Sequence, residues 1–291
     1  GVPYAPVGLF DIDGTLALSK RRRHLAAVNA VEVINELLGP FLGYGLKVPE
    51  VDVFWNQYRA TGNIAWVLLG DRYDTKTQRG VLVARNVREE FDAAVALYSP
   101  EQLALDEISP EMREATSRIL SVLKGYAVTF RQMPQDQLIT HFQGLGLVNS
   151  GADESMFHPD DVFAVGSKDA TSFQAKAAYI MWRFGDLIDA QRQFFVRPAL
   201  MGDAISDMLV ALHCGLFFVG FTETGEASRE RFEAECDKVA AQRQVKRTNL
   251  PVALFDSICD PKFHTWLQSF VDSFNRKMAR AKASHWSPPN A

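Results

Sequence analysis

No stretch of this chain stays apolar for the roughly 20 residues that a bilayer-spanning helix needs. Charge of one sign is not in excess either. Lys and Arg number 31 against 35 Asp and Glu, and a net charge of −4 gives no global field to draw the chain to nucleic acid or an anionic membrane. Cysteine is scarce. Cys214, Cys236 and Cys259 are far apart, odd in number and without a CxxC pair, which argues against a disulfide framework. The expectation is reduced thiols in an intracellular, cytoplasmic protein. The first residues are Gly-Val-Pro, so if a targeting segment has been removed the expected compartment becomes the mitochondrion. The histidines are dispersed and none belongs to an HxxxH-type metal site. There is no internal repeat and no low-complexity stretch, which excludes solenoids and fibrous chains.

At 291 residues the chain can hold one large domain and a smaller insertion. Its most informative segment is Phe10-Asp11-Ile12-Asp13-Gly14-Thr15-Leu16. The apolar run Val7-Gly8-Leu9-Phe10 followed by Gly-Thr reads as a buried strand breaking into a loop. Side chains two apart on a strand share a face, so Asp11 and Asp13 can approach one ligand. Two converging carboxylates do not both stay charged unless something positive lies between them, and a hard divalent cation meets that need. One acid is then free to attack an electrophile. A second acid pair stands in Leu200-Met201-Gly202-Asp203-Ala204-Ile205-Ser206-Asp207. Asp203 leaves a strand end and Asp207 follows one helical turn later, so both point towards the same metal. Loop and helix capping explains each acid singly but not all four together.

Strand candidates lie near 6–12, 125–129, 161–166, 197–202 and 216–220, alternating with helical patterns at 111–123, 134–144, 170–184 and 204–213. That alternation predicts a parallel sheet covered on both faces, with ligands at the carboxyl ends of its strands. Helical periodicity also marks 24–38, 50–60 and 80–98.

These ordered motifs resemble those of the haloacid dehalogenase-like superfamily, most of whose members are magnesium-dependent phosphatases. FDIDGTL matches the first motif and GDxxxD at 202–207 the fourth. Gly125-Tyr126-Ala127-Val128-Thr129 fits the second, a strand ending in a hydroxyl residue. The third requires a Lys before a helix; Lys168 fits by spacing, with Lys176 as competitor. The family often has Asn after the second-motif Thr and Pro after the third-motif Lys, where this chain has Phe130 and Asp169.

The resemblance implies an α/β fold: a Rossmann-like parallel core over 1–18 and 116–261, and an inserted α-helical cap over 19–115. It implies hydrolysis of a small phosphorylated metabolite, as in phosphoglycolate phosphatases, through an aspartyl phosphate on Asp11 with Asp13 as acid and base. Mg2+ would be held by Asp11, the backbone carbonyl of Asp13, Asp203 and Asp207, while Thr129, Lys168 and N–H groups near Gly14 would cradle the phosphate. The alternative is a retained, inactive fold serving as an assembly subunit.

Other side chains keep two readings. Arg21-Arg22-Arg23 could meet a second anionic group on the substrate or form a solvated helix start. Arg131 could contact substrate or lie on the surface. Trp55, Tyr58 and Arg59 could face the cleft or fill the cap core. Residues 262–282 form a basic amphipathic helix, followed by an irregular tail to 291; it is expected to pack on its own core, with a homodimer or protein partner as the other reading.

Overall fold

A computed structural model describes residues 5–131, 133–149, 155–165 and 173–285, with side chains up to Ala281. In chain order the elements are β1 (Val7–Phe10), α1 (Lys20–Leu42), α2 (Val51–Thr61), α3 (Ile64–Leu69), α4 (Gln78–Ala96) and α5 (Pro100–Leu103). They continue with α6 (Pro110–Val122), β2 (Lys124–Thr129), α7 (Gln135–Gly144), β3 (Val162–Ala164), α8 (Phe173–Arg192), β4 (Ala199–Gly202) and α9 (Ile205–His213). The chain then forms β5 (Phe217–Phe221), α10 (Arg229–Gln242), β6 (Val252–Phe255) and α11 (Pro261–His285).

The strands make one sheet in the order β3-β2-β1-β4-β5-β6, every pairing parallel. This is the expected α/β parallel core. Alternate strand residues serve two apolar layers. Phe10, Ala127, Met201 and Phe221 meet Met112, Leu138, Phe142 and Phe263 on one face. Leu9, Val128, Leu200 and Phe218 meet Ile180, Phe184, Met208 and Phe232 on the other. Burial of each large side chain contributes about 1.5–3 kcal/mol, so neither layer is dispensable. β1 is central: the chain leaves it towards β2 and β3 on one side and β4 to β6 on the other. A crevice opens at that switch point, above the carboxyl ends of β1 and β4.

Helices α1 to α4 have a core of their own, built from Ala26, Ala30, Val31, Ile34, Phe54, Trp55, Val83, Val87 and Phe91. By length and composition α1 is apolar enough to cross a bilayer, which the sequence reading does not anticipate. Its face of Ala26, Ala27, Ala30 and Ile34 is buried in this helical layer, while Val33, Leu37 and Phe41 on the same helix are exposed. Pro40 falls in its last turn and Gly43, at φ +75°, ends it.

Some elements differ from expectation. α8 runs through Gly185 to Arg192 instead of stopping near 184. The glycine costs roughly 1 kcal/mol, and burial of Ile188 beyond it offsets that cost. α3, α5, α10 and β6 are additions. α11 buries Phe263, Leu267, Val271 and Phe274, with Phe263 edge-on to Phe221 and Phe255, so its apolar stripe is spent on the chain's own sheet. The tail from 286 lies outside the described residues.

Candidate active site

Asp11 follows β1 directly, and its N–H donates to the Met201 carbonyl of β4 at 2.9 Å, which ties the first acid to the strand that delivers Asp203. Asp203 follows β4, and Asp207 lies in the first turn of α9. One carboxylate oxygen from each of Asp11, Asp203 and Asp207 lies within 4.8 Å of the other two, and all three residues are buried. Capping uses only part of this set. Asp203 Oδ2 accepts from the Glu226 N–H at 2.8 Å, and Asp207 Oδ2 accepts from the Ala204 N–H at 3.2 Å, while Asp207 Oδ1 is directed to a lysine.

That lysine is Lys176, near the start of α8. Its ammonium pairs with Asp207 Oδ1, stands 3.7 Å from Asp11 Oδ1 and sits 3.8 Å from the centroid of the Phe130 ring. Lys168 lies outside the described residues. Burial alone would lower the Lys176 pKa, but Asp207 and Asp11 outweigh it and hold the ammonium above its usual value. One cation against three carboxylates is not enough. Burial, with repulsion from the neighbouring acids, raises Asp11 well above the ordinary carboxylate range despite Lys176. Asp203 is raised by burial and then by Asp207. A dication satisfies this donor set: three hard oxygen ligands, buried, with an excess of negative charge. The residues present fit Mg2+, with Asp11, Asp203 and Asp207 as its side-chain ligands.

Asp13 lines the same cavity but is not one of the three clustered acids. Its Oδ1 lies 2.5 Å from Arg131 Nη2 and 2.7 Å from Arg22 Nη2. The same two guanidiniums reach Asp106, in the segment returning from the helical layer, at 2.6 and 2.9 Å, and His141 Nε2 is 3.0 Å from Asp106 Oδ2. Burial would raise Asp13, but Arg131 and then Arg22 more than reverse it, and the carboxyl is held far below the usual range. The Asp13 carboxylate is spent on two guanidiniums and is not placed as a metal ligand here.

Several expectations change accordingly. Arg22 and Arg131 are about 1% exposed, so neither is a solvated surface residue nor a free anion receptor. The run from Lys20 opposes the dipole at the N-terminus of α1, and acids from four other segments compensate it. Lys20 pairs with Asp52, Arg21 with Glu107, Arg22 with Asp13 and Asp106, and Arg23 with Glu226. Gly14 is not a phosphate donor, because its N–H donates to the Ala17 carbonyl at 2.7 Å. Its part is steric: at φ +72° a Cβ would come within 2.0 Å of Asp203 Oδ2. Thr129 is buried at the end of β2, and its hydroxyl oxygen accepts from the Arg131 N–H at 3.3 Å. Phe130 and Arg131, not Thr129, line the cavity.

That cavity holds about 300 Å³ and is bounded below by Asp11, Asp13, Lys176, Asp203 and Asp207. Arg23, Tyr58, Asp92 and Tyr98 close it from the side of the inserted helices. Of the aromatic residues of α2, Trp55 is in the helical core and Tyr58 is at the cavity. Arg59 bridges the two layers: its guanidinium donates to the Thr222 carbonyl, and its own carbonyl accepts from Arg231 at 3.0 Å.

No family model and no curated protein matches the chain. Among solved structures it is similar to a predicted phosphoglycolate phosphatase from Haemophilus somnus, at 17% identity over 91% of this chain and 100% of that one, TM-score 0.49. It is similar to a haloacid dehalogenase-like family hydrolase from Streptococcus pneumoniae, at 14% identity over 79% and 90% of the two chains, TM-score 0.47. A predicted phosphatase from Clostridium acetobutylicum shares 14% identity over 82% and 98%, TM-score 0.46. Likenesses this distant assign no function.

Proposed function

We propose that this chain is a magnesium-dependent phosphatase of the haloacid dehalogenase-like type, hydrolysing a small phosphomonoester through an aspartyl phosphate. The observation that carries the reading is the buried set of Asp11, Asp203 and Asp207, with Lys176 beside it, at the floor of one small cavity.

Mg2+ bound there would supply positive charge that keeps Asp11 ionised and offsets the charge of the phosphoryl oxygens. Lys176 offers a second cation to those oxygens. An Asp11 carboxylate oxygen attacks phosphorus, the ester P–O bond breaks, and the leaving oxygen takes a proton from the Asp13 carboxyl, which returns to carboxylate. Water then attacks the phosphorus of the acyl phosphate, the bond to Asp11 breaks, and phosphate leaves. Held by Arg22 and Arg131, Asp13 is an acceptor and suits the second step, where water must lose a proton. To deliver a proton to a leaving alkoxide it must first be released from the guanidiniums. Arg23 of α1, Tyr58 of α2 and Asp92 of α4 wall the cavity opposite the acids and leave it small enough to hold one compact ester and the attacking water.

The test is phosphate release from a panel of small phosphomonoesters, with Mg2+ and with a chelator. Magnesium-dependent release is expected. No release from any of them would favour a retained fold with an assembly role.

A further inference from the structure

Charge on the upper wall of the cavity is unevenly spent. Four arginines stand near the site, and each is engaged with protein groups. Arg22 and Arg131 are held by Asp13 and Asp106, Arg23 pairs with Glu226, and Arg59 reaches the Thr222 carbonyl. Among the described residues, the polar groups of this wall with no hydrogen-bond or ion-pair partner are the Asp92 carboxylate and the hydroxyls of Tyr58 and Tyr98. Arg23 is paired with Glu226, and Asp92, which feels Arg23 and Arg88 but pairs with neither, is the remaining acid of the wall opposite the carboxylate cluster. A ligand whose far end bore a second anion would meet that carboxylate, and both arginines that line the cavity, Arg23 and Arg131, are already held in ion pairs. A hydroxylated far end would donate to Asp92 and exchange hydrogen bonds with the two phenols. A cavity of about 300 Å³ leaves room for a phosphoryl group and only a few carbons.

We infer that the substrate is the phosphomonoester of a small polyol, with Asp92 and Tyr58 as specificity-determining residues that receive its hydroxyl groups. This rests on the phosphatase reading above and extends it from reaction to substrate class. It also opposes a carboxylate-bearing substrate, which the basic run at 21–23 would otherwise suggest.

The test compares kcat/KM for glycerol phosphate, phosphoglycolate and phosphoethanolamine, with methyl phosphate as a small substrate lacking any further polar group. Glycerol phosphate should exceed phosphoglycolate at least tenfold, and exceed phosphoethanolamine because its two hydroxyls engage Asp92 and Tyr58 together. Asp92→Asn and, separately, Tyr58→Phe should each raise KM for glycerol phosphate several-fold, with a smaller change in kcat. Two variants that remove so little volume, checked by thermal melting, keep a folding defect from being mistaken for lost recognition. A preference for phosphoglycolate or phosphoethanolamine, or an unchanged KM in both variants, would overturn the inference. Absence of hydrolysis with methyl phosphate as well would instead sink the phosphatase reading.

Discussion

Lys176 Nζ stands 3.7 Å from Asp11 Oδ1 while pairing with Asp207, so one lysine of α8 serves acids from β1 and α9 together. A phosphoryl group bound at Asp11 would lie within reach of that ammonium. Lys176→Ala should therefore lower kcat by about 10²–10³-fold, the scale of losing one preorganised charge partner. Lys168→Ala should have the smaller effect. The reverse order in steady-state kinetics would assign the role to Lys168.

The raised pKa values of Asp11 and Asp203 give stability a definite pH dependence. A carboxyl whose folded pKa lies above its unfolded value stabilises the protein while protonated, and that contribution is lost as pH rises through the folded value. Metal-free protein should thus lose stability as pH climbs out of the ordinary carboxylate range. Asp13 and Asp106 shift the other way, so their contribution is lost only as pH falls below that range and does not interfere. Magnesium should raise the melting temperature, and more at about pH 8 than at about pH 5; binding at 100 times Kd is worth about 2.7 kcal/mol. Calorimetric scans at several pH values, with and without Mg2+, check this, and an equal shift at all of them would contradict it.

Arg22 and Asp106 join the two segments that connect the helical layer to the sheet. Removing one partner of a buried pair leaves an uncompensated charge, so Arg22→Met and Asp106→Asn should each destabilise by about 3–5 kcal/mol. The double variant should be destabilised by clearly less than the sum. Denaturant titrations of the four proteins give the coupling, and strict additivity would refute the linkage.

Gly14→Ala tests the steric role of the loop. The left-handed backbone costs a non-glycine residue roughly 1–2 kcal/mol, and the added methyl must displace Asp203. Both stability and Mg2+ affinity should fall, measurable by melting and by calorimetric titration. A stable variant with unchanged affinity would show that the loop yields without moving Asp203.

Sequence made the strand-end acids legible because period-two alternation and a Gly-Thr break fix where Asp11 stands, and one helical turn fixes Asp207 relative to Asp203. It could not place Lys176. Its ammonium reaches the site only through the packing of α8 on α9, a tertiary fact with no local pattern. Arg22 and Arg131 are hidden for the same reason: a basic run at a helix start looks solvated until acids 84 residues away are seen to meet it. β6 was missed because an edge strand of four half-buried residues carries little alternation, and α10 because its buried Phe232, Cys236 and Val239 are diluted by charge.

The claim on which the rest depends is that Asp11 is the nucleophile. Rapid acid quench during turnover with Mg2+, followed by peptide mapping by mass spectrometry, tests it most directly. The expected result is one phosphoryl group on the peptide carrying Asp11, absent in Asp11→Asn and absent when the metal is chelated. Rapid turnover with no phosphorylated peptide, or with the phosphoryl group on another residue, would contradict it.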